Sequence, residues 1–240
     1  MIQNKHLPLG ISFLHIRCSS TFARNDHDKM DELKKLTAYC EKFTSRTSEV
    51  LLELERETYL KTLAPQMLTG HLQGQFLSLI SRLKQPRTIL EIGTFTGYGA
   101  ICLAQGLSEG GMVHTIEVNP EFSYISEKYF SKSGLENSIK LHVGDAMKLI
   151  PQMTDLTFDL VYLDAGKQDY ASAYELVVGK MNPGGLLLAD NVLWSGKVVE
   201  QMNDKDTKVL DAFNQMVHTD SRVSNLLLPI RDGILIIEKC

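Results

Sequence analysis

Two apolar runs in this sequence end in oxygen-bearing side chains of a kind that suits a hard cation. Phe158-Asp-Leu-Val-Tyr-Leu163 runs into Asp164, and Leu186-Leu-Leu-Ala189 runs into Asp190 and Asn191. Such runs read as strands buried on both faces, hence as neighbours in a parallel sheet. Neighbouring strands lie about 4.8 Å apart, which sets Asp164 and Asp190 side by side at the sheet rim. Carboxylates that close repel unless a proton or a cation lies between them. With the Asn191 carbonyl they make an all-oxygen set for Mg²⁺, or alternatively Ca²⁺ or Mn²⁺, with positions left open for substrate. Each aspartate taken alone reads equally well as a cap on a helix or turn; the pair with Asn191 favours metal. Lys167 lies in the loop after Asp164. Beside a divalent cation its pKa falls, which suits a general base acting on a hydroxyl. Trp194, the only tryptophan, and Ser195 come just after Asn191. The indole is either a wall for a flat aromatic acceptor or ordinary loop packing.

A second constellation lies upstream. The apolar Thr88-Ile-Leu90 leads into Glu91-Ile-Gly-Thr-Phe-Thr-Gly-Tyr-Gly-Ala100, which opens onto a helical pattern. A strand that stops at glycines and turns into a helix makes an anion- and nucleotide-binding corner, because backbone N–H groups approach the ligand closely. The spacing Gly93-x3-Gly97-x-Gly99 differs from the G-x-G-x-x-G of dinucleotide folds. Glu117 ends the next strand about twenty residues on, where a carboxylate accepts both hydroxyls of a ribose. Asn119 and Pro120 already supply the cap and first turn of the following helix, so Glu117 is not needed for that. Gly144-Asp145-Ala146 ends the third strand and offers a carboxylate and an N–H to an adenine edge, although Asp145 is also an ordinary N-cap.

These tips need a scaffold, and the periodicity supplies one. Helices are expected over Asp28–Phe43, Ser48–Leu63 and Gly70–Leu83. Strands at 87–92, 112–118, 139–143, 158–164 and 185–190 alternate with helices at 98–108, 120–133, 145–151 and 169–181. A helix at 204–218 precedes Leu226-Leu-Leu-Pro-Ile230, a turn at Arg231-Asp-Gly233 and Ile234-Leu-Ile-Ile237, which read as an antiparallel hairpin. The fold class is therefore α/β: a doubly wound, mostly parallel sheet with a C-terminal antiparallel hairpin and N-terminal helices.

The chain has 240 residues, 43% of them hydrophobic, with a net charge of −4. That suits one domain and gives no global attraction to nucleic acid. We assign 29–240 to it, with helices over 29–85 and the α/β core over 86–240. Residues 1–28 carry no acid before Asp26 and a short apolar segment at Ile11–Ile16. They read as a poorly structured extension, with a transit or signal peptide as the other option. Cys18, Cys40, Cys102 and Cys240 lie far apart, as in a reduced cytoplasmic protein. No stretch reaches the ~18 apolar residues of a membrane span.

Together Glu91-Ile-Gly-Thr-Phe-Thr-Gly-Tyr98, Leu163-Asp-Ala-Gly-Lys167 and Asp190-Asn-Val-Leu-Trp194 resemble the cation-dependent class I O-methyltransferases of the catechol and caffeoyl-CoA type, whose bacterial branch includes enzymes of hydroxylated tRNA uridine. The resemblance covers about 30–240. It implies a seven-stranded Rossmann-like sheet, S-adenosyl-L-methionine as methyl donor and a homodimer. It implies that Asp164, Asp190 and Asn191 hold the metal and that Lys167 is the base. Met67, Thr69, Glu91, Gly93, Thr94, Gly97, Gly99, Glu117, Gly144, Asp145, Ala146 and Asp164 fall at donor-binding positions, and Trp194 and Ser195 border the acceptor. Gly99 stands where the family commonly has a serine that bonds the methionine carboxylate, leaving only backbone N–H there. Gly166 replaces the second aspartate of the plant enzymes' Asp-Ala-Asp-Lys, which argues against a caffeoyl-CoA acceptor.

The expected reaction is methyl transfer to one oxygen of a vicinal diol or similar bidentate small molecule. A tRNA 5-hydroxyuridine acceptor is the alternative, with Lys29, Lys34, Lys35, Lys42 and Arg46 as a basic arm. An NAD-dependent oxidoreductase is disfavoured by the glycine spacing and the Asp190–Asn191 pair.

Overall fold

The computed structural model describes residues 26–200 and 202–240, with side chains from Lys34 onward. The extension expected over 1–28 lies outside the described residues except for 26–28, which belong to helix α1 (Asp26–Lys42); Cys18 and the side chain of Lys29 also lie outside. The segment up to Phe43 forms one compact unit and Thr44–Cys240 another.

Within the second unit, α2 (Glu49–Lys61) starts at Ser48, whose hydroxyl accepts from Leu51 N, and it buries Leu51, Leu54 and Thr58. The next helix, α3 (His71–Lys84), lies close against α4 (Tyr98–Ala104). Gly74 permits this: a β-carbon there would lie 2.6 Å from the Tyr98 ring. Ser78 and Ser81 donate to the Cys102 and Leu103 carbonyls at 3.0 and 2.5 Å. Seven strands follow: β1 (Thr88–Ile92), β2 (Met112–Glu117), β3 (Ile139–Val143), β4 (Phe158–Leu163), β5 (Met181–Ala189), β6 (Val223–Leu228) and β7 (Ile234–Lys239). Their order is β3-β2-β1-β4-β5-β7-β6. Strands β1 to β5 pair in parallel, and β7 lies antiparallel between β5 and β6.

Helices cover both faces of the sheet, as buried parallel strands require. The intervening helices are α5 (Ser123–Lys132), α6 (Ala146–Leu149), α7 (Tyr170–Val178) and α8 (Lys205–Thr219). On one face Val161 and Leu187 pack with Tyr174 of α7 and Phe213 of α8. On the other, Ile89 and Leu160 pack with Leu77, Ile101 and Phe130 of α3, α4 and α5.

Several boundaries differ from the periodicity reading for local reasons. Strand β5 starts at Met181, not 185, because it takes in Asn182-Pro-Gly-Gly185 as an irregularity: Phe158 pairs Met181, but Leu160 pairs Leu186. Helix α7 accordingly stops at Val178, short of 181. Helix α4 stops at Ala104 rather than 108, where Gly106 comes so near α3 that a β-carbon would lie 2.1 Å from Ser81 backbone. Pro120 and Pro151 confine parts of the expected 120–133 and 145–151 helices to single 3₁₀ turns. Among the described residues no helix is long and apolar enough to cross a membrane.

Candidate active site

Register fixes the site. Ile92 pairs with Leu163 and Leu163 with Ala189, so Gly93, Asp164 and Asp190 leave three adjacent strands at one level. Gly93, at φ 104°, passes so close to β4 that a β-carbon would lie 2.0 Å from the Asp164 carbonyl oxygen. The turn beyond it is tied back: Gly93 N and Thr94 N both donate to Ile116 O, at 3.0 and 3.2 Å. Phe95, at φ 50°, donates its N–H to Glu117 Oε2 at 2.7 Å, and Asn119 N donates to Glu117 Oε1 at 2.8 Å. Each Glu117 oxygen thus spends one lone pair on the backbone and keeps another. Asn119 caps the following turn through Glu121 N, as expected.

Glu91 lies beneath this turn, 1% exposed, with Thr115 donating to Oε2 at 2.5 Å and Thr94 bonded to Thr115. Burial, with Asp164 and Glu117 nearby, pushes its carboxyl up to about 8. Gly99 serves this carboxylate: a β-carbon there would lie 2.3 Å from Glu91 Oε1 and 3.4 Å from Thr69 Oγ1. Gly97 opens α4 at φ 94°, with the Phe130 ring 2.6 Å from where its β-carbon would be. Glu91, Thr94, Gly97 and Gly99 therefore sit behind the cavity wall, and the two later glycines serve packing.

The other rim holds the expected acid pair. Asp190 is 3% exposed and accepts from Tyr162 OH at 2.8 Å and Gln73 Nε2 at 2.5 Å on Oδ2, and from Asn191 N at 2.7 Å on Oδ1. Burial and the Asp190 charge push Asp164 up to about 6, against the pull of Lys167. Lys167 Nζ donates to Asn191 Oδ1 and Tyr170 OH, each at 2.7 Å, and lies 3.5 Å from Asp164 Oδ1. A cationic group thus already bridges the oxygens of Asp164 and Asn191. Among the described residues no three acidic, histidine or cysteine side chains cluster, so a metal here would take two carboxylates and an amide carbonyl. That oxygen-only set, with its excess negative charge, fits a hard divalent cation.

A cavity of about 680 Å³ joins the two constellations. Met67, Thr69, Gly93, Glu117, Gly144, Asp145 and Ala146 line it together with Asp164, Lys167, Asp190, Asn191 and Trp194. Asp145 also caps α6, its Oδ1 accepting from Met147 N at 2.9 Å, as its N-cap reading expects. The Trp194 ring lies between Lys167 and Lys197, 5.9 and 5.7 Å from the two ammonium groups, and its buried Nε1 has no partner. Ser195 is exposed and outside the cavity lining; its N–H is held by Asp232.

Sequence reasoning missed several wall residues. Phe95 and Phe122 form an edge-to-face pair at 4.8 Å beside Glu117; the aromatic after Thr94 was a signal left unused. Arg231 and Asp232, read only as a hairpin turn, line the cavity as well. Gln73 and Tyr162 read as helix and strand interior, and only the fold brings them to Asp190.

A family model described as O-methyltransferase matches residues 41–240. A catechol O-methyltransferase of Niastella koreensis is 32% identical over 65% of this chain and 72% of its own. A caffeoyl-CoA O-methyltransferase of Populus trichocarpa is 30% identical over 79% and 81%. The crystal structure of an O-methyltransferase from Bacillus cereus in complex with SAH superposes with a TM-score of 0.80 at 26% identity, covering 86% of this chain and 97% of that one.

Proposed function

Because the chain belongs to the O-methyltransferase family, we propose that it transfers a methyl group from S-adenosylmethionine to one hydroxyl of a catechol-like or other bidentate small molecule, with a divalent cation held by Asp164, Asp190 and Asn191. One observation carries this reading: a single cavity is lined both by Thr69, Glu117 and Asp145 and by Asp164, Lys167, Asp190 and Asn191. Donor and acceptor would share one space with no wall between them. The SAH held by the Bacillus cereus relative supports the donor, and the names of the catechol and caffeoyl-CoA relatives support the acceptor class.

The chain's own groups suggest the roles. Glu117 has lone pairs left for a ribose, and Phe95 and Phe122 give an apolar edge beside it. A cation at Asp164, Asp190 and Asn191 would supply Lewis acidity and orientation for two acceptor oxygens. Lys167 in its neutral form receives the hydroxyl proton at Nζ. The acceptor oxygen bonds the methyl carbon as the carbon–sulfur bond breaks, leaving S-adenosylhomocysteine and protonated lysine. Orientation is the larger gain, because reacting groups held in line recover several kcal/mol of entropy.

Transfer of labelled methyl from S-adenosylmethionine, screened over catechols, phenylpropanoids and bulk tRNA with and without EDTA, tests the proposal. We expect a small diol to be labelled and EDTA to abolish the signal. Labelling of tRNA alone would shift the acceptor to a hydroxylated uridine, and full activity in EDTA would remove the metal.

A homodimer and a cytoplasmic setting complete the proposal. Helix α2 exposes Leu52, Tyr59 and Leu60, and Leu63 just beyond it is exposed too, the kind of surface that contacts bury. Cys102 and Cys240 lie outside any disulfide, as in reducing compartments. Light scattering of the purified chain reads the oligomer directly.

A further inference from the structure

The Asp190 carboxylate is held from behind by a line of donors that the mechanism above does not use. Gln73 of α3 is fully buried. Its Nε2 donates to Tyr162 OH at 2.6 Å and to Asp190 Oδ2 at 2.5 Å, while the Tyr162 hydroxyl donates to the same Oδ2 at 2.8 Å. Both amide protons and the phenol proton are used once each. Only one orientation of the carboxamide makes this triangle; flipped, it would set its oxygen against the carboxylate. The choice is made on its other side, where Arg231 Nη1 donates to Gln73 Oε1 at 2.9 Å. A guanidinium donates and cannot accept, so the amide oxygen faces Arg231 and the amide nitrogen faces Asp190.

Arg231 reaches this position from the β6–β7 turn, at φ 49°. The left-handed region is uncommon for a residue that is not glycine. The same Nη1 donates to the Thr69 carbonyl, with the Leu68 carbonyl sharing that proton at 3.4 Å. One side chain thus links the hairpin turn, the Leu68–Thr69 backbone and, through Gln73, the Asp190 carboxylate.

We infer that Gln73 and Arg231 are positioning residues for Asp190. Arg231 sets the direction of the Gln73 amide, and Gln73 with Tyr162 pins Oδ2, so the carboxylate keeps one orientation towards the cavity whether or not a cation is there. The inference rests on the metal role proposed above. Groups that orient a metal ligand cost about 10- to 100-fold in metal affinity when removed.

The test is titration of the full chain with Mn²⁺ in the absence of acceptor, followed by calorimetry or by the electron paramagnetic signal of free Mn²⁺. Affinity for S-adenosylmethionine is read alongside by thermal shift. Gln73→Met keeps the volume and removes both donors; we expect Mn²⁺ affinity to fall by about 10-fold or more, with donor affinity within about 2-fold. Arg231→Met frees the amide to flip and should lower Mn²⁺ affinity in the same direction. Arg231→Lys, which still only donates, should restore it to within about 3-fold of the parent. Arg231 is exposed, so its variants are expected to fold and to read the same linkage if Gln73→Met does not. A merely structural role would lower Tm and leave Mn²⁺ affinity unchanged. Parent-like Mn²⁺ affinity in both methionine variants overturns the inference alone. A parent chain that binds no Mn²⁺ and transfers methyl groups in EDTA overturns the metal reading, and this inference with it.

Discussion

Oε1 of Glu91 occupies the volume that a β-carbon on residue 99 would need; that carbon would lie 2.3 Å from the oxygen. Glu91 has nowhere to retreat, being 1% exposed and bonded to Thr115 through its other oxygen. Gly99→Ser should therefore be harmful. We expect a loss of about 1–3 kcal/mol from overpacking, read as a lower Tm. Affinity for S-adenosylmethionine should fall as well, because the displaced carboxylate lies next to Thr69. A Gly99→Ser chain with parental Tm and donor affinity would show that Glu91 moves freely, against this packing.

Gly93 makes a sterner case. Its β-carbon would meet backbone, 2.0 Å from the Asp164 carbonyl oxygen, at φ 104°. Backbone cannot rotate away as a side chain can, and L residues rarely adopt this φ. Gly93→Ala should therefore force β1 and β4 apart at the level of Asp164. We expect soluble protein to be scarce, and any that is recovered to lose turnover at least 100-fold, with its circular dichroism spectrum checking for retained fold. Near-parental turnover in folded Gly93→Ala would refute the close approach.

These two glycines show what the sequence could convey. Gly93 was legible as a corner residue because strand, glycine and helix follow one another within the local chain. Gly99 was read as a backbone donor to ligand, since nothing nearby in sequence reveals that a carboxylate eight residues upstream fills its side-chain space. Asp164, Asp190 and Asn191 were legible because buried apolar runs announce strands and the residues after them must stand at the rim. Gln73, Tyr162 and Arg231 were not, because their contacts with Asp190 and with one another span 28 to 158 residues and each has an ordinary local reading. The start of β5 was missed for another reason: Pro183 and Gly184 are turn residues in isolation, and only pairing with β4 makes them part of a strand.

The pH dependence of stability should carry a signature of His114. It is 8% exposed on β2, with its Nδ1 3.0 Å from Nε2 of His142 on β3. Burial, then His142 and then Lys140, push its pKa down from 6.5 to about 4; burial and then Lys140 also lower His142. Between those values the unfolded chain binds a proton that the folded chain does not, so folding stability rises with pH across that window. The contribution is complete above about 6.5 and is lost as pH falls towards 4. Thermal unfolding of the parent and of His114→Gln, from pH 4.5 to 7.5, isolates it. The variant's Tm should lose less on acidification than the parent's, and parallel curves would count against a neutral, buried His114.

Trp194 carries the prediction that separates acceptor from donor. Its ring lines the cavity beside Lys167. Its backbone, like that of Asn191 and Ser195, is held at positive φ, 48° for Trp194 itself. The segment is braced by Asp232 and Gly233, whose carbonyls accept from Leu193 N and Val192 N at 2.9 and 3.1 Å. A braced aromatic wall should act on a flat acceptor by contact, not by loop closure. Trp194→Ala should therefore raise the acceptor KM by about 10-fold, the loss of roughly 1.4 kcal/mol of stacking and apolar contact. Affinity for S-adenosylmethionine should stay close to parental, and Trp194→Phe should recover most of the acceptor KM. If Trp194→Ala instead lowers donor affinity with the acceptor KM unchanged, the two ends of the cavity have been assigned the wrong way round.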